Sequence, residues 1–307
     1  MCAANETKVT DILLLGFNDL NQSKIPLFIF FLLLYCVILC GNILIIFLVS
    51  FHEHLQMPMF FFLKHVGLVD ILLTTDIVPM MLHIILNEEM IVAFAGCICQ
   101  LYIFGLCTVQ CLLLAVMSFD RYLAICYPLR YISIMSLDVC LQLVVGCWLS
   151  VFVFITGESI LVYQLDFCGF NQIDHFFCDV GPFVALSTSD TSVLTWVDFV
   201  NSALFLSVPF IFIIGTYVGI FITIFKMNSK TGRQKTFSTC SSHLTVVCTY
   251  YGTQIIVYMG PTGENSANMK KFLSLLYVVI APFMNPIIYS LRSKEIRETL
   301  RKYIKMA

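Results

Sequence analysis

Residues 199–225 read FVNSALFLSVPFIFIIGTYVGIFITIF, without one acidic or basic side chain. A bilayer's hydrocarbon core is crossed by roughly 20 helical residues. Five further stretches share this property: 25–52, 91–119, 139–157, 236–263 and 272–291. A water-soluble domain of this length would leave many of those faces in water. The chain therefore reads as an integral membrane protein. Its spans are helices, because an open backbone finds no hydrogen-bond partner in lipid.

A seventh span, 58–86, is apolar at most positions but carries Lys64, Asp70 and Asp76. Lys64 lies near one end and can snorkel to the interface. Asp70 lies near the middle, where a carboxylate costs several kcal/mol unless it faces the bundle interior. That makes Asp70 a candidate functional residue. Seven spans use nearly all of the 307 residues, and the net charge of −2 offers no basic surface for nucleic acid. The first 24 residues lack a basic region leading into a short apolar core. The first span is thus expected to direct its own insertion.

Arg121, Arg130, Lys226, Lys230, Arg233, Lys235, Arg292, Lys294, Arg297, Arg301, Lys302 and Lys305 gather on one side of the implied topology. Only Lys8, Lys24, Lys270 and Lys271 fall on the other. The positive-inside rule puts the C-terminus in the cytoplasm and the N-terminus outside, which requires an odd number of spans. The expected organisation is an extracellular tail over 1–24, a seven-helix membrane domain over 25–292, and a cytoplasmic amphipathic helix and tail over 293–307. In that last segment Ile296, Leu300 and Ile304 repeat at helical spacing among basic residues, a pattern suited to the anionic inner leaflet.

Asn5-Glu6-Thr7 is a glycosylation acceptor in the external tail. Cys97, Cys168 and Cys178 lie at the external face, where disulfides persist. Three cysteines allow one bridge and leave one over. The connection 161–194 holds Asp166, Asp174, Asp179 and Asp190 and no Lys or Arg. A loop that long in a compact bundle points to function. Its aromatic and cysteine content predicts an ordered lid.

Two motifs carry mechanism. Residues 118–129 read SFDRYLAICYPL at the inner end of the third span. Arg121 keeps its proton at all accessible pH, so it remains a donor whether held by Asp120 or exposed to a partner. The pair reads as a switch. Residues 282–292 read PFMNPIIYSLR. Pro286 frees a backbone carbonyl and kinks its helix. Asn285 is expected to satisfy the freed groups, and Asp70, Asn42 and Asn285 to form one polar cluster. An enzyme would need paired carboxylates or His/Ser groups converging in the membrane. Asp70 and Asp76 are six residues apart and share a helical face poorly, while His52, His54 and His65 lie near the inner surface. A transporter would show repeated halves; this chain has none.

Over nearly its whole length the chain resembles the vertebrate odorant receptors of the tetrapod-type group, which are rhodopsin-like G-protein-coupled receptors. The resemblance rests on residues 14–17 (LLGF), Gly41-Asn42, residues 57–63 (MPMFFFL), the stretch from Asp120 to Pro128, residues 175–179 (HFFCD), residues 235–244 (KTFSTCSSHL) and residues 285–292 (NPIIYSLR). It implies an all-α, seven-transmembrane bundle on the plasma membrane with no enzyme activity and no cofactor. It implies a small odorant as ligand and a stimulatory, olfactory-type G protein as partner, with cAMP as the output. The ligand positions it implies are Phe104, Cys107 and Thr108 on the third helix, and Asn201, Ser202 and Phe205 on the fifth. On the sixth they are Tyr251, Gln254, Ile255 and Tyr258, and on the seventh Leu275 and Val278. No carboxylate or basic group stands among them, so neutral ligands are expected. Activation is assigned to Asp120, Arg121, Tyr122, Tyr217, Asn285, Pro286 and Tyr289, and the polar pivot to Asn42, Asp70 and Gln110, with weak sodium binding at Asp70. The resemblance also implies a Cys97–Cys178 bridge.

Three departures from the family's pattern stand out. Thr188 occupies the region of a further loop cysteine, which leaves Cys168 without its usual partner. Gln110 stands in place of a glutamate. The spacing from Cys97 to Arg121 is one residue short, and one residue turns a helix by about 100°.

Overall fold

The computed structural model describes residues 10–17, 20–167, 171–259 and 266–306. Asn5 and Cys168 lie outside the described residues. Seven long helices form the body of the molecule. The first five are Lys24–Phe51, Pro58–Asn87, Phe94–Cys126, Leu137–Tyr163 and Ser192–Lys226. The sixth is Lys230–Met259, and the seventh, Lys271–Ser290, lies inside a helical run from 266 to 292. Six are long and apolar enough to cross a membrane. The sixth is long enough but more polar. Its threonines bond within the helix: Thr245 Oγ1 donates to the Ser241 carbonyl at 2.7 Å and Thr249 Oγ1 to the Thr245 carbonyl at 2.9 Å. A hydroxyl satisfied by its own helix costs little in an apolar setting.

Each helix turns one stripe inward and leaves the rest to lipid. In the first, Ile38, Asn42, Ile45, Leu48 and Val49 are buried, while Ile25, Phe30, Leu33 and Val37 are exposed. That is the one-sided pattern of a helix at the bundle's edge. Gly41 lets this helix approach the seventh, since a Cβ there would lie 3.1 Å from Pro286.

The lid end of the bundle carries a small sheet. Strand β1 (Asp11–Leu15) lies between β2 (Glu89–Ala93) and β3 (Gln172–Ile173), antiparallel to β2 and parallel to β3. Ile12 and Leu14 point inward and are buried, as the period-two alternation of a strand dictates. Gly16 follows; a Cβ there would run into the Ile84 side chain and the Glu88 carbonyl. Part of the segment read as a polar tail is therefore a paired strand. Both its partners are distant in sequence, so no local pattern could have announced it.

The long loop is ordered over its described residues. A disulfide joins Cys97 to Cys178 with a Cα–Cα distance of 5.5 Å. Gln100 reinforces it: its Oε1 accepts from the Cys178 N–H at 2.8 Å, and its Nε2 donates to the Asp76 carbonyl at 2.9 Å. Thr188 takes up a non-covalent role, donating through both its N–H and its hydroxyl to the Asp166 carbonyl at 3.0 and 3.1 Å.

The third helix tightens part-way along, around residues 107–111. Cys107 donates to both the Ile103 and Phe104 carbonyls, and Thr108, Gln110 and Cys111 bond to carbonyls three residues back. Such a turn advances about 120° and 2.0 Å per residue, against about 100° and 1.5 Å in an α-helix. Cys97 is bridged to Cys178 on one side of this stretch, and Gln110 bonds Asp70 from within it.

After the seventh helix, Ser293 Oγ accepts from the Ile296 N–H at 3.1 Å and caps the helix Lys294–Met306. Ile296 is buried and Arg297, Arg301 and Lys302 are exposed. His54 bonds Thr299 at 2.9 Å and so ties the first inner loop to this last helix, while His52 bonds the Leu48 carbonyl of the helix it follows at 3.0 Å.

Candidate functional site

Beneath the long loop, the third, fourth, fifth, sixth and seventh helices enclose a cavity of about 120 Å³. Of the residues expected to meet a ligand, Phe104, Cys107, Thr108, Asn201, Ser202, Phe205 and Gln254 line it. Tyr251, Ile255, Leu275 and Val278 do not, and the side chain of Tyr258 lies outside the described residues. On the sixth helix Tyr250 and Gln254 share the inward face. Tyr251 sits one residue, about 100°, away, with its ring 4.7 Å from that of Phe210. Ile255 is exposed. On the seventh helix a π-helical segment, Leu276–Ile280, presents Tyr277 to the cavity while Val278 packs in the core. A π-bulge inserts an extra residue per turn and re-aims its neighbours. A second one, Ala203–Ser207, carries Phe205 to the cavity on the fifth helix.

The lining also holds three carboxylates that the sequence reading did not place there: Glu158, Asp179 and Asp198. Glu158 is 4% exposed and accepts from Asn201 Nδ2 at 2.8 Å through Oε2. Its Oε1 and the Asn201 Oδ1 are buried without a hydrogen-bond partner. Asp179 accepts from the Val180 N–H at 2.8 Å and heads the short helix Val180–Leu186. Burial pushes its carboxyl up to about 6, and the charge of Asp198 adds to the effect. The expectation of a neutral ligand assumed a carboxylate-free lining, and that premise does not hold.

Below the cavity lies the polar pivot. Asp70 is fully buried and both its oxygens are occupied: Gln110 Nε2 donates to Oδ1 at 3.1 Å and Asn285 Nδ2 to Oδ2 at 2.8 Å. Asn42 bonds not to Asp70 but to the carbonyls of Ile38 at 3.0 Å and Pro282 at 3.2 Å. The Pro282 carbonyl is the one that Pro286 leaves without a donor, four residues on. The expected roles are therefore divided differently. Asn42 repairs the kink, and Asn285 is free to serve Asp70.

At the far end, Arg121 donates through Nε at 2.9 Å and Nη2 at 2.5 Å to Asp120 Oδ2. Tyr131 donates to the other oxygen at 2.7 Å. Tyr122 packs over Gly219, where a Cβ would fall 2.6 Å from its ring. Tyr217 bonds His243 Nδ1 at 2.7 Å, and the buried Tyr289 hydroxyl has no partner. Arg121 is held, and the aromatic groups that surround its end of the bundle are closely packed.

A family model described as olfactory receptor matches residues 31–306. Human olfactory receptor 10A7 is 42% identical over 305 residues, which is 99% of this chain and 96% of that protein. Human olfactory receptor 11A1 is 44% identical over 301 residues, covering 98% and 95%, and mouse olfactory receptor 5G29 is 43% identical over 301, covering 98% and 96%. The chain belongs to the olfactory receptor family.

The receptor is accordingly a rhodopsin-like G-protein-coupled receptor of the plasma membrane, a multi-pass protein that takes an odorant and engages a G protein. It signals rather than catalyses. No cluster of three or more metal-ligating side chains occurs among the described residues. The lid that closes the receptor's cavity is tied to the rest by Lys271, which is 1% exposed and donates from Nζ to the Gly16 carbonyl at 2.7 Å and to the Asp174 carboxylate. Beside it, burial and the Lys271 charge hold His175 down to about 4.

Proposed function

We propose that the receptor detects a small volatile ligand with an apolar body in the cavity beneath the long loop, and that it couples to a stimulatory, olfactory-type G protein that raises cAMP. One observation carries this reading. Gln110 lines the cavity and also donates to Asp70, whose other oxygen accepts from Asn285 beside the Pro286 kink. A ligand that moves Gln110 therefore acts on the hinge of the seventh helix. The Asp120–Arg121 clamp is the element that must open for a partner to enter. The cavity's size supports a small ligand, since an engineered protein cavity of about 150 Å³ holds benzene.

On the same reading the N-terminus faces outward, Asn5 carries a glycan, the basic face of the last helix rests on anionic lipid, and Asp70 holds sodium weakly. Cells co-expressing the receptor and an olfactory-type stimulatory G protein, exposed to a panel of small volatile compounds, test the function. At least one compound raises cAMP in the intact receptor. Arg121→Ala abolishes that response while surface expression stays near normal. Full signalling by Arg121→Ala removes the switch role.

A further inference from the structure

We propose that the cavity is a cation site, and that its ligand is a small aliphatic amine bound as the ammonium between Glu158 and Asp198. This inference names the ligand class for the receptor reading above. Glu158 and Asp198 come from different helices, and both line the cavity. Asp179, at the head of the short loop helix, lines the same cavity. No Lys, Arg or His is among the residues lining the cavity.

Two buried acceptors point to the missing partner. Glu158 Oε1 and Asn201 Oδ1 belong to cavity-lining side chains 4% and 6% exposed, and neither accepts a hydrogen bond. Buried acceptors are almost always satisfied, and a buried carboxylate without a counter-charge is costlier still. An ammonium group supplies what these acceptors lack: it brings three N–H donors and the counter-charge. The aromatic lining favours the same charge, because ring faces attract cations; Phe104, Tyr250 and Tyr277 supply them. The volume limits the apolar part to a few carbons. A bare metal ion is disfavoured, since no three ligating side chains converge among the described residues.

The test is thermal unfolding of the purified full-length receptor in lipid nanodiscs. Propylammonium, isobutylammonium and isopentylammonium chlorides are compared with isopentanol and with sodium chloride at matched ionic strength. At least one amine raises Tm by about 3 °C or more at saturation, and isopentanol and sodium do not. Glu158→Gln and Asp198→Asn each abolish the shift, and either variant suffices if the other fails to fold. No shift with any of the three amines overturns the proposal. An equal shift with isopentanol or sodium overturns it too, as does an amine shift that survives in both variants. The readout is binding alone. An amine-dependent shift without any cAMP response would keep the site and overturn the proposed coupling instead.

Discussion

Two buried carboxylates in this bundle differ in what has been done with their oxygens. Asp70 has a donor on each oxygen, Gln110 on one and Asn285 on the other. Glu158 has a donor on one oxygen and none on the other, and it shares the cavity lining with a second carboxyl, Asp198. A carboxylate with a donor on each oxygen is part of the framework. One with an unpartnered oxygen, on a side chain that lines a cavity, still has binding energy to give. The difference lies in the neighbours rather than in the residue or its depth.

The largest expected effect tests the framework side. Asp70→Leu leaves the Gln110 and Asn285 amides without acceptors, at about 1–3 kcal/mol each. The thermal midpoint of the purified receptor and its surface level both fall sharply. Glu158→Gln keeps an acceptor for Asn201 and removes a charge that lacks a counter-ion, so its midpoint stays level or rises. A larger loss for Glu158→Gln than for Asp70→Leu would break the comparison.

A middle-sized effect comes from making one site resemble the other. Gln110→Glu removes a donor from Asp70 and sets a second carboxylate against it, as at Glu158 and Asp198. Basal and ligand-evoked cAMP in that variant should become sensitive to external sodium and pH. Identical responses of wild type and variant over a wide range of both would show that the Asp70 cluster is packing alone.

The smallest effect concerns the third carboxylate of the open cluster. The folded-state value of Asp179 is raised to about 6, so its contribution to stability is present at low pH and lost as pH rises through about 6. His175 runs the other way. Its folded value is lowered to about 4 from 6.5, so its contribution is present above 6.5 and lost as pH falls toward 4. The two slopes oppose each other between pH 4 and 6. Asp179→Asn should leave a midpoint that climbs with pH over that window, and His175→Phe one that declines. If neither variant tilts the profile, these groups do not control it.

The fold was legible because lipid demands long charge-free runs, and the framework carboxylate because a lone Asp70 inside such a run needs inward partners. The open cluster was hidden by the same rule. Glu158 directly follows the run 139–157 and Asp198 directly precedes the run 199–225. Neither was singled out, because each only borders a charge-free run. The helices continue past them, to Tyr163 and back to Ser192, which carries both carboxyls inside the bundle. The differences between expected and observed lining on the sixth and seventh helices have a different origin. Tyr251 and Ile255 lie on the face next to Tyr250 and Gln254, and the π-helical segment at Leu276–Ile280 alters a spacing that sequence alone treats as uniform. The bridge from Asn42 to the Pro282 carbonyl joins residues 240 apart, a pairing that no local pattern encodes.

Strand β1 has a consequence for the order in which the chain assembles. It precedes the other described elements in the chain, yet each of its ties described above is made later. Strand β2 follows the second helix, β3 lies in the loop after the fourth, and Lys271, which grips the Gly16 carbonyl, arrives with the seventh. For most of synthesis Ile12 and Leu14 have no permanent home, and contacts this distant in sequence form slowly. A chain interrupted before the seventh helix would hold most of its spans and still lack the anchor of its first strand. The loose N-terminus would then mark an unfinished receptor for as long as the last helix is missing.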